Sequence, residues 1–204
     1  MGTRHSILVQ VNDDYKVANY GQWDGYPSGQ GTGILHFLAE EMDLEKFTEA
    51  VRHCTEITHE RLEEIWLSMG ARKDGDSYMM GSNASDKFQL EYPHLHRDCG
   101  SDILKMIQDA GGLELKIDKT FPADSLFCEW AYVIDLDKGT FEVYEGFNET
   151  PLDPQERFAT LVGPQDRRSE YHPCRFKYAW PLSALPTQEE FLAILEPPEE
   201  ETTE

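Results

Sequence analysis

Basic residues are scarce in this chain. Its 18 lysines and arginines stand against 39 aspartates and glutamates, a formal charge of −21. A field of that sign repels phosphate backbones and anionic lipid headgroups, so direct partnership with nucleic acid or a membrane surface is not expected. Seven acids and no base fall between Gln188 and Glu204, yet the rest of the chain still carries −14. The body is therefore acidic in its own right, which favours solubility and would suit a basic protein partner. Long apolar runs are missing too. The stretch Ile7 to Val11 is far short of the roughly 20 residues a membrane span needs. Cysteine is limited to Cys54, Cys99, Cys128 and Cys174, with no C-x-x-C pair among them and no secretory leader in front. That pattern predicts free thiols in a reducing, cytoplasmic setting. Also absent are a phosphate-binding G-x-x-x-x-G-K-[ST] loop, a dinucleotide G-x-G-x-x-G turn, a G-x-S-x-G elbow and any solenoid repeat. No cofactor and no metal set is expected, and whether the chain is an enzyme stays open.

What is present is enough to fold. Hydrophobic residues make up 39% and aromatics 11%, more aromatic side chains than a disordered chain carries. The length predicts one domain over 1–196, followed by an acidic, disordered tail over 197–204. Apolar alternation predicts an N-terminal hairpin, Thr3 to Val11 and Tyr15 to Tyr20, turning at Asn12-Asp13-Asp14. Five glycines and a proline between Gly21 and Gly33 predict irregular structure there. Helices are expected from about Gly33 to Glu41, from Asp43 to Cys54, and from a Thr58 cap to about Met69. The polar stretch Ala71 to Gln89 reads as loop. A helix starting at Asp98 or Ser101 should end at Gly111-Gly112. A short strand is expected near Leu113 to Ile117. A second hairpin joins Phe127–Asp135 to Thr140–Tyr144 through Asp137-Lys138-Gly139. A short helix over Pro154 to Leu161, a strand from Phe176 to Trp180 and a last helix capped at Thr187 complete the pattern. The fold class is α+β: an antiparallel sheet from N-terminal and C-terminal hairpins packed by helices, which could extend to a layered αββα arrangement.

Three segments could carry chemistry. Gln22-Trp23-Asp24-Gly25-Tyr26-Pro27-Ser28-Gly29 joins a strand to a helix. Its amides could cradle an anion, Trp23 and Tyr26 could stack on a ring, and Asp24 could accept from a hydroxyl. The alternative is a tight turn whose aromatics are simply packed. In Tyr92 to Asp102, His94 and His96 would point the same way if extended, and with Asp98 could face a metal. Alternatively Arg97 clamps a carboxylate or phosphate, or Asp98 or Ser101 merely caps the next helix. Glu129 interrupts an apolar strand, and if it faces the core it needs a partner such as Arg4 or Arg97.

Met1-Gly2-Thr3-Arg4, the Gln22–Gly29 loop, Arg97-Asp98-x-Gly100 and Glu129-Trp130-Ala131-Tyr132-x-Ile134-Asp135-Leu136-Asp137 together resemble a group of phage, bacterial and fungal proteins that begin "MGTR". The resemblance covers roughly residues 1–144. It implies that the four segments form one constellation, and implies no activity. The strand start and the Gly-rich loop are also similar, more distantly, to N-terminal-nucleophile hydrolases of the class II amidotransferase type. Here Gly2 stands where those enzymes need a nucleophile, so only a fold analogy follows.

The expected function is binding of a small anionic, nucleotide-like molecule, as in viral sequestration of a host signalling metabolite. Arg4, Gln22, Trp23, Asp24, Tyr26, Ser28, Gly29, Arg97, Asp98 and Glu129 would form the site. One alternative is a hydrolase acting on such a ligand, with Asp24 or His96 as base. The other is an acidic inhibitor that docks on a basic protein.

Overall fold

The computed structural model describes residues 2–75, 77–162 and 170–197. Most of the tail expected to be disordered therefore lies outside the described residues. The N-terminal hairpin pairs β1 (His5–Val11) with β2 (Asp14–Gly21) through a two-residue turn. Asn12 and Asp13 hold φ of 55° and 57° there, the left-handed pair that such a turn requires. The next helical stretch is longer than the glycines suggest. It starts with a wide π-type turn over Pro27–Gly31, continues as α1 (Thr32–His36), and closes with a second wide turn over Phe37–Glu41. There follow α2 (Leu44–Arg52), the two-residue β3 (Thr55–Glu56) and α3 (His59–Met69). The Thr58 hydroxyl accepts from the Arg61 amide at 3.1 Å, the expected cap.

The polar stretch read as loop is ordered instead. It forms a small hairpin, β4 (Arg72–Asp74) with β5 (Ser77–Met79), and then α4 (Ser82–Glu91). After it come α5 (Asp102–Ala110), β6 (Glu114–Leu115), β7 (Trp130–Asp135), β8 (Thr140–Glu145), β9 (Arg175–Pro181) and α6 (Gln188–Leu195). Gly111 ends α5 at a φ of 73°, and Thr187 and Glu190 form a reciprocal cap on α6. The short helix expected over Pro154 to Leu161 is a run of turns.

One five-stranded sheet, ordered β2-β1-β7-β8-β9, organises the chain. Both predicted hairpins are antiparallel, but they meet through a parallel pair, with His5 opposite Trp130 and Gln10 opposite Asp135. The sheet is thus mixed rather than antiparallel, and the protein is α+β. Among the described residues no second large sheet is stacked on it, so the αββα arrangement is not formed there. One face carries Ile7, Val9, Tyr132, Ile134, Phe141 and Val143 into the main core, against residues of α1, α2, α5 and α6. Each such side chain withdrawn from water contributes about 1.5–3 kcal/mol. The other face, with Leu8, Ala18, Val133 and Tyr144, is covered by Phe121, Phe158 and Cys174 from irregular chain. A separate small core joins Leu62 and Ile65 of α3 to Phe88 of α4 and to Leu95.

Candidate functional site

At one end of the sheet β1 begins, β2 ends and β7 begins, and there the four expected segments converge. The Gln22 amide donates to the Arg97 carbonyl at 3.2 Å, and the Gly25 amide to the Thr3 carbonyl at 3.0 Å. Arg4 and Glu129 bond reciprocally: the Arg4 amide donates to Glu129 Oε1 at 3.2 Å, and the Glu129 amide to the Arg4 carbonyl at 3.0 Å. Glu129 therefore meets the Arg4 backbone, and the expected pairing with an arginine side chain does not form. A fourth link runs from the Ser101 amide to Gln30 Oε1 at 2.7 Å.

The glycine loop spends many of its amides on the chain itself. Besides Gln22 and Gly25, the Gln30 amide donates to the Asp24 carbonyl at 2.8 Å, and the Gly29 and Gly31 amides both reach the Tyr26 carbonyl. Two glycines are explained by close approach. A Cβ at Gly29 would fall 2.2 Å from the Asp24 carbonyl oxygen, and one at Gly21 would fall 2.0 Å from the His5 ring. What the loop leaves free for a ligand is side chains: Trp23 and Tyr26 are 45% and 39% exposed, and Asp24 and Ser28 are exposed as well. Asp24 sits at a φ of 54°, with the Tyr26 hydroxyl 3.5 Å from its carboxylate.

Arg4 is the unusual residue of this cluster. Its guanidinium carbon stands 4.6 Å over the Phe127 ring, its Nε is sealed from solvent, and among the described residues the guanidinium has neither a hydrogen-bond acceptor nor an ion-pair partner. Asp124 lies near enough to feel it. Burial raises the Asp124 carboxyl above its usual range, and Arg4 only partly opposes that. Two residues along, on the same side of β1, the Ser6 hydroxyl is 1% exposed and also unpartnered. Tyr20 faces Ser6 across the hairpin and donates to Gln22 Oε1 at 2.6 Å. Burial raises the Tyr20 hydroxyl, while the charges of Arg4 and Arg97 pull it down. Arg97 is 62% exposed and meets Asp98 at 3.7 Å. Ser6, Tyr20, Asp124 and Phe127 were not anticipated as site residues. The hairpin register with Arg4 was the signal for Ser6 and Tyr20. Nothing local pointed to Asp124 or Phe127.

No protein-family model, no curated protein and no solved structure matches the chain. The functional reading therefore rests on its own geometry.

The two histidines do not share a face. Pro93–Leu95 is a single 3-10 turn, so the segment is not extended, and His94 lies by Tyr92 at 6.3 Å while His96 lies by Phe88 at 6.1 Å. His96 Nδ1 accepts from the Asp98 amide at 3.3 Å, and burial, partly opposed by Asp98, lowers its pKa so that the ring is neutral near pH 7. Among the described residues no three His, Cys, Asp or Glu side chains gather as metal ligands. The four cysteines are free and buried.

A second polar cluster lies on the irregularly covered face of the sheet. There Arg157 bonds Glu142 through Nε and Nη2, each at 2.8 Å, Asp135 through Nη2, and Gln10 and Tyr15 through Nη1. Every N–H of this guanidinium is matched. Burial alone would raise Asp135 and Glu142, but the bonds to Arg157 outweigh it and hold both carboxyls below their usual values. This is a brace pinning the turns after Pro154 to the sheet, with no donor left for a ligand.

Proposed function

We propose that this chain binds a small anionic molecule at the sheet end formed by Arg4, Tyr20, Gln22 and Arg97, in keeping with the nucleotide-like ligand anticipated from its sequence. The observation that carries the reading is Arg4. A partly buried guanidinium with no acceptor is costly in any protein. In a chain of net charge −21, acids to satisfy it are plentiful, yet among the described residues none pairs with it. An oxyanion between Arg4 and Arg97 would supply the missing acceptors, beside the Tyr20–Gln22 pair. The acidic surface around it would keep weaker anions away and favour a ligand that makes several bonds at once. With all four cysteines free, the reading places the protein in a reducing compartment such as the cytoplasm. No helix among the described residues is long and apolar enough to cross a membrane. A protein that binds such a ligand and withdraws it from solution would act as a sponge for a signalling metabolite.

Calorimetry with phosphate, pyrophosphate, nucleoside phosphates and cyclic dinucleotides tests this. The expected result is binding by at least one of them, weakened tenfold or more in Arg4→Gln and in Arg97→Gln with the fold intact. Absence of binding across the set overturns the proposal. A partner retained from lysate in a salt-sensitive way would then favour the acidic docking alternative.

A further inference from the structure

Beside Arg97 a cavity of about 500 Å³ opens between α3, α4 and β5. Trp66, Tyr78 and Phe88 supply aromatic walls, Lys116 reaches in from the chain after β6, and His96 and Arg97 form part of the lining. The volume is that of a small-molecule site. Trp66 and Tyr78 stand 5.5 Å apart and are tilted by 49°, so they form a wedge rather than a closed stack. The Lys116 ammonium sits 5.4 Å from the centre of the Trp66 ring and 5.5 Å from that of Phe88. Among the described residues it has no carboxylate partner and no hydrogen-bond acceptor. Its side chain is exposed at the cavity mouth, yet desolvation by the walls lowers its pKa. The Tyr78 hydroxyl is shielded from solvent near Glu63 and Lys73, without a hydrogen bond of good geometry to either.

Aromatic walls select a flat ring, and an unpaired ammonium beside an arginine selects negative charge. Arg97 also belongs to the sheet-end cluster, because its carbonyl is bonded to Gln22. We infer that this cavity is the ring-binding half of the anion site: it takes the planar heteroaromatic group of a nucleoside-phosphate-type ligand against its aromatic lining, beside Lys116 where that ammonium lies over Trp66 and Phe88, with Arg97 toward the phosphate. The inference rests on the proposed anion site for the charged end of the ligand and adds the class of its other end.

The experiment compares inorganic phosphate, the four common nucleoside 5′-monophosphates and the free nucleosides, titrated into the wild-type chain, Trp66→Leu and Lys116→Met. Melting points establish that each variant is folded. Lys116→Met keeps the test decisive if Trp66→Leu does not fold. The best monophosphate should bind about tenfold or more tightly than phosphate in the wild type, the margin that base stacking supplies. Both variants should lose that margin, and Trp66→Leu should do so while keeping the affinity for phosphate. If phosphate and monophosphates bind equally, or the margin survives both variants, the cavity is not a ring site and the anion site stands alone. If phosphate fails to bind but a nucleoside binds and is lost in the variants, the cavity stands and the arginine site falls. If nothing binds, both fall.

Discussion

Two arginines in this molecule stand in opposite circumstances. Arg157 is 10% exposed and meets Asp135, Glu142, Gln10 and Tyr15 with all its donors. Arg4 has its Nε sealed, a ring on one side and no acceptor. The first is complete as folded and ties two strands and a loop together. The second has no acceptor among the described residues, which leaves it open to a ligand. Saturation marks a structural role and an unmatched donor marks an open one, a distinction that residue type alone cannot make.

The contrast can be broken most forcefully at Arg157. Arg157→Met takes the guanidinium from two buried carboxylates and leaves Asp135 only Lys138 and two amides, and Glu142 only the Thr140 and Tyr144 hydroxyls; it should cost about 3–5 kcal/mol, read as a fall in melting temperature of roughly 10 °C or more. A loss under about 1 kcal/mol would show that the brace is dispensable. The same variant should respond to acid in the opposite sense to the wild type. In the wild type the carboxyls of Asp135 and Glu142 are held below their usual values, so their stabilisation is present above those values and is lost as pH falls through the lower folded ones. Without Arg157, burial raises both carboxyls, and protonation relieves them. Urea unfolding between pH 7 and pH 4 should therefore show the gap between variant and wild type closing toward acid.

His5 lies next to Arg4 and sharpens the comparison in a different pH window. Its ring is 1% exposed and neither nitrogen is hydrogen-bonded. Burial lowers its pKa from 6.5 to about 4, with the nearby Thr3 carbonyl partly opposing. Between those values the unfolded chain takes up a proton that the folded chain refuses, so stability drops as pH falls from 6.5 to 4, by as much as about 3 kcal/mol. His5→Gln cannot titrate and should show a flatter profile there. An unchanged slope would assign the loss to other groups. The smallest stability effect is expected at Arg4. Arg4→Gln forfeits a cation–π contact of about 0.5–1 kcal/mol and no hydrogen bond of the guanidinium, so urea unfolding should shift by less than about 1 kcal/mol while anion binding weakens tenfold or more.

Much of the fold was legible from sequence because its signals are local. Thr58 and Thr187 announce their helices by cap chemistry, and the apolar run from Ile7 to Val11 and the Phe141–Tyr144 segment read as strands. The partner of a strand is not a local property, so the parallel pairing of β1 with β7 left no trace in either. Helix α4 was illegible because Phe88 is its one fully buried side chain and its first turn is Ser, Asn, Ala and Ser, poor material for a periodic signal. The glycines at 29 and 31 pointed to loop, whereas they are needed where a helical turn presses against Asp24 and against Phe191. Grouping Arg4, Gln22, Arg97 and Glu129 in advance rested on a resemblance; the backbone bonds join Gln22 to Arg97 and Arg4 to Glu129. Which of the two arginines lacked a partner needed three dimensions.

The parallel pair at the middle of the sheet has a consequence for how the chain comes to be folded. His5 pairs with Trp130, 125 residues further on. A hairpin made early in synthesis must wait, one edge bare, until that distant strand has left the ribosome, and contacts of such separation close slowly. An exposed edge of Ile, Leu and Val is a template for pairing with the wrong neighbour. The −21 charge gives nascent copies a reason to stay apart during that wait. On this view the acidity matters first during assembly, before there is any site for a ligand to find.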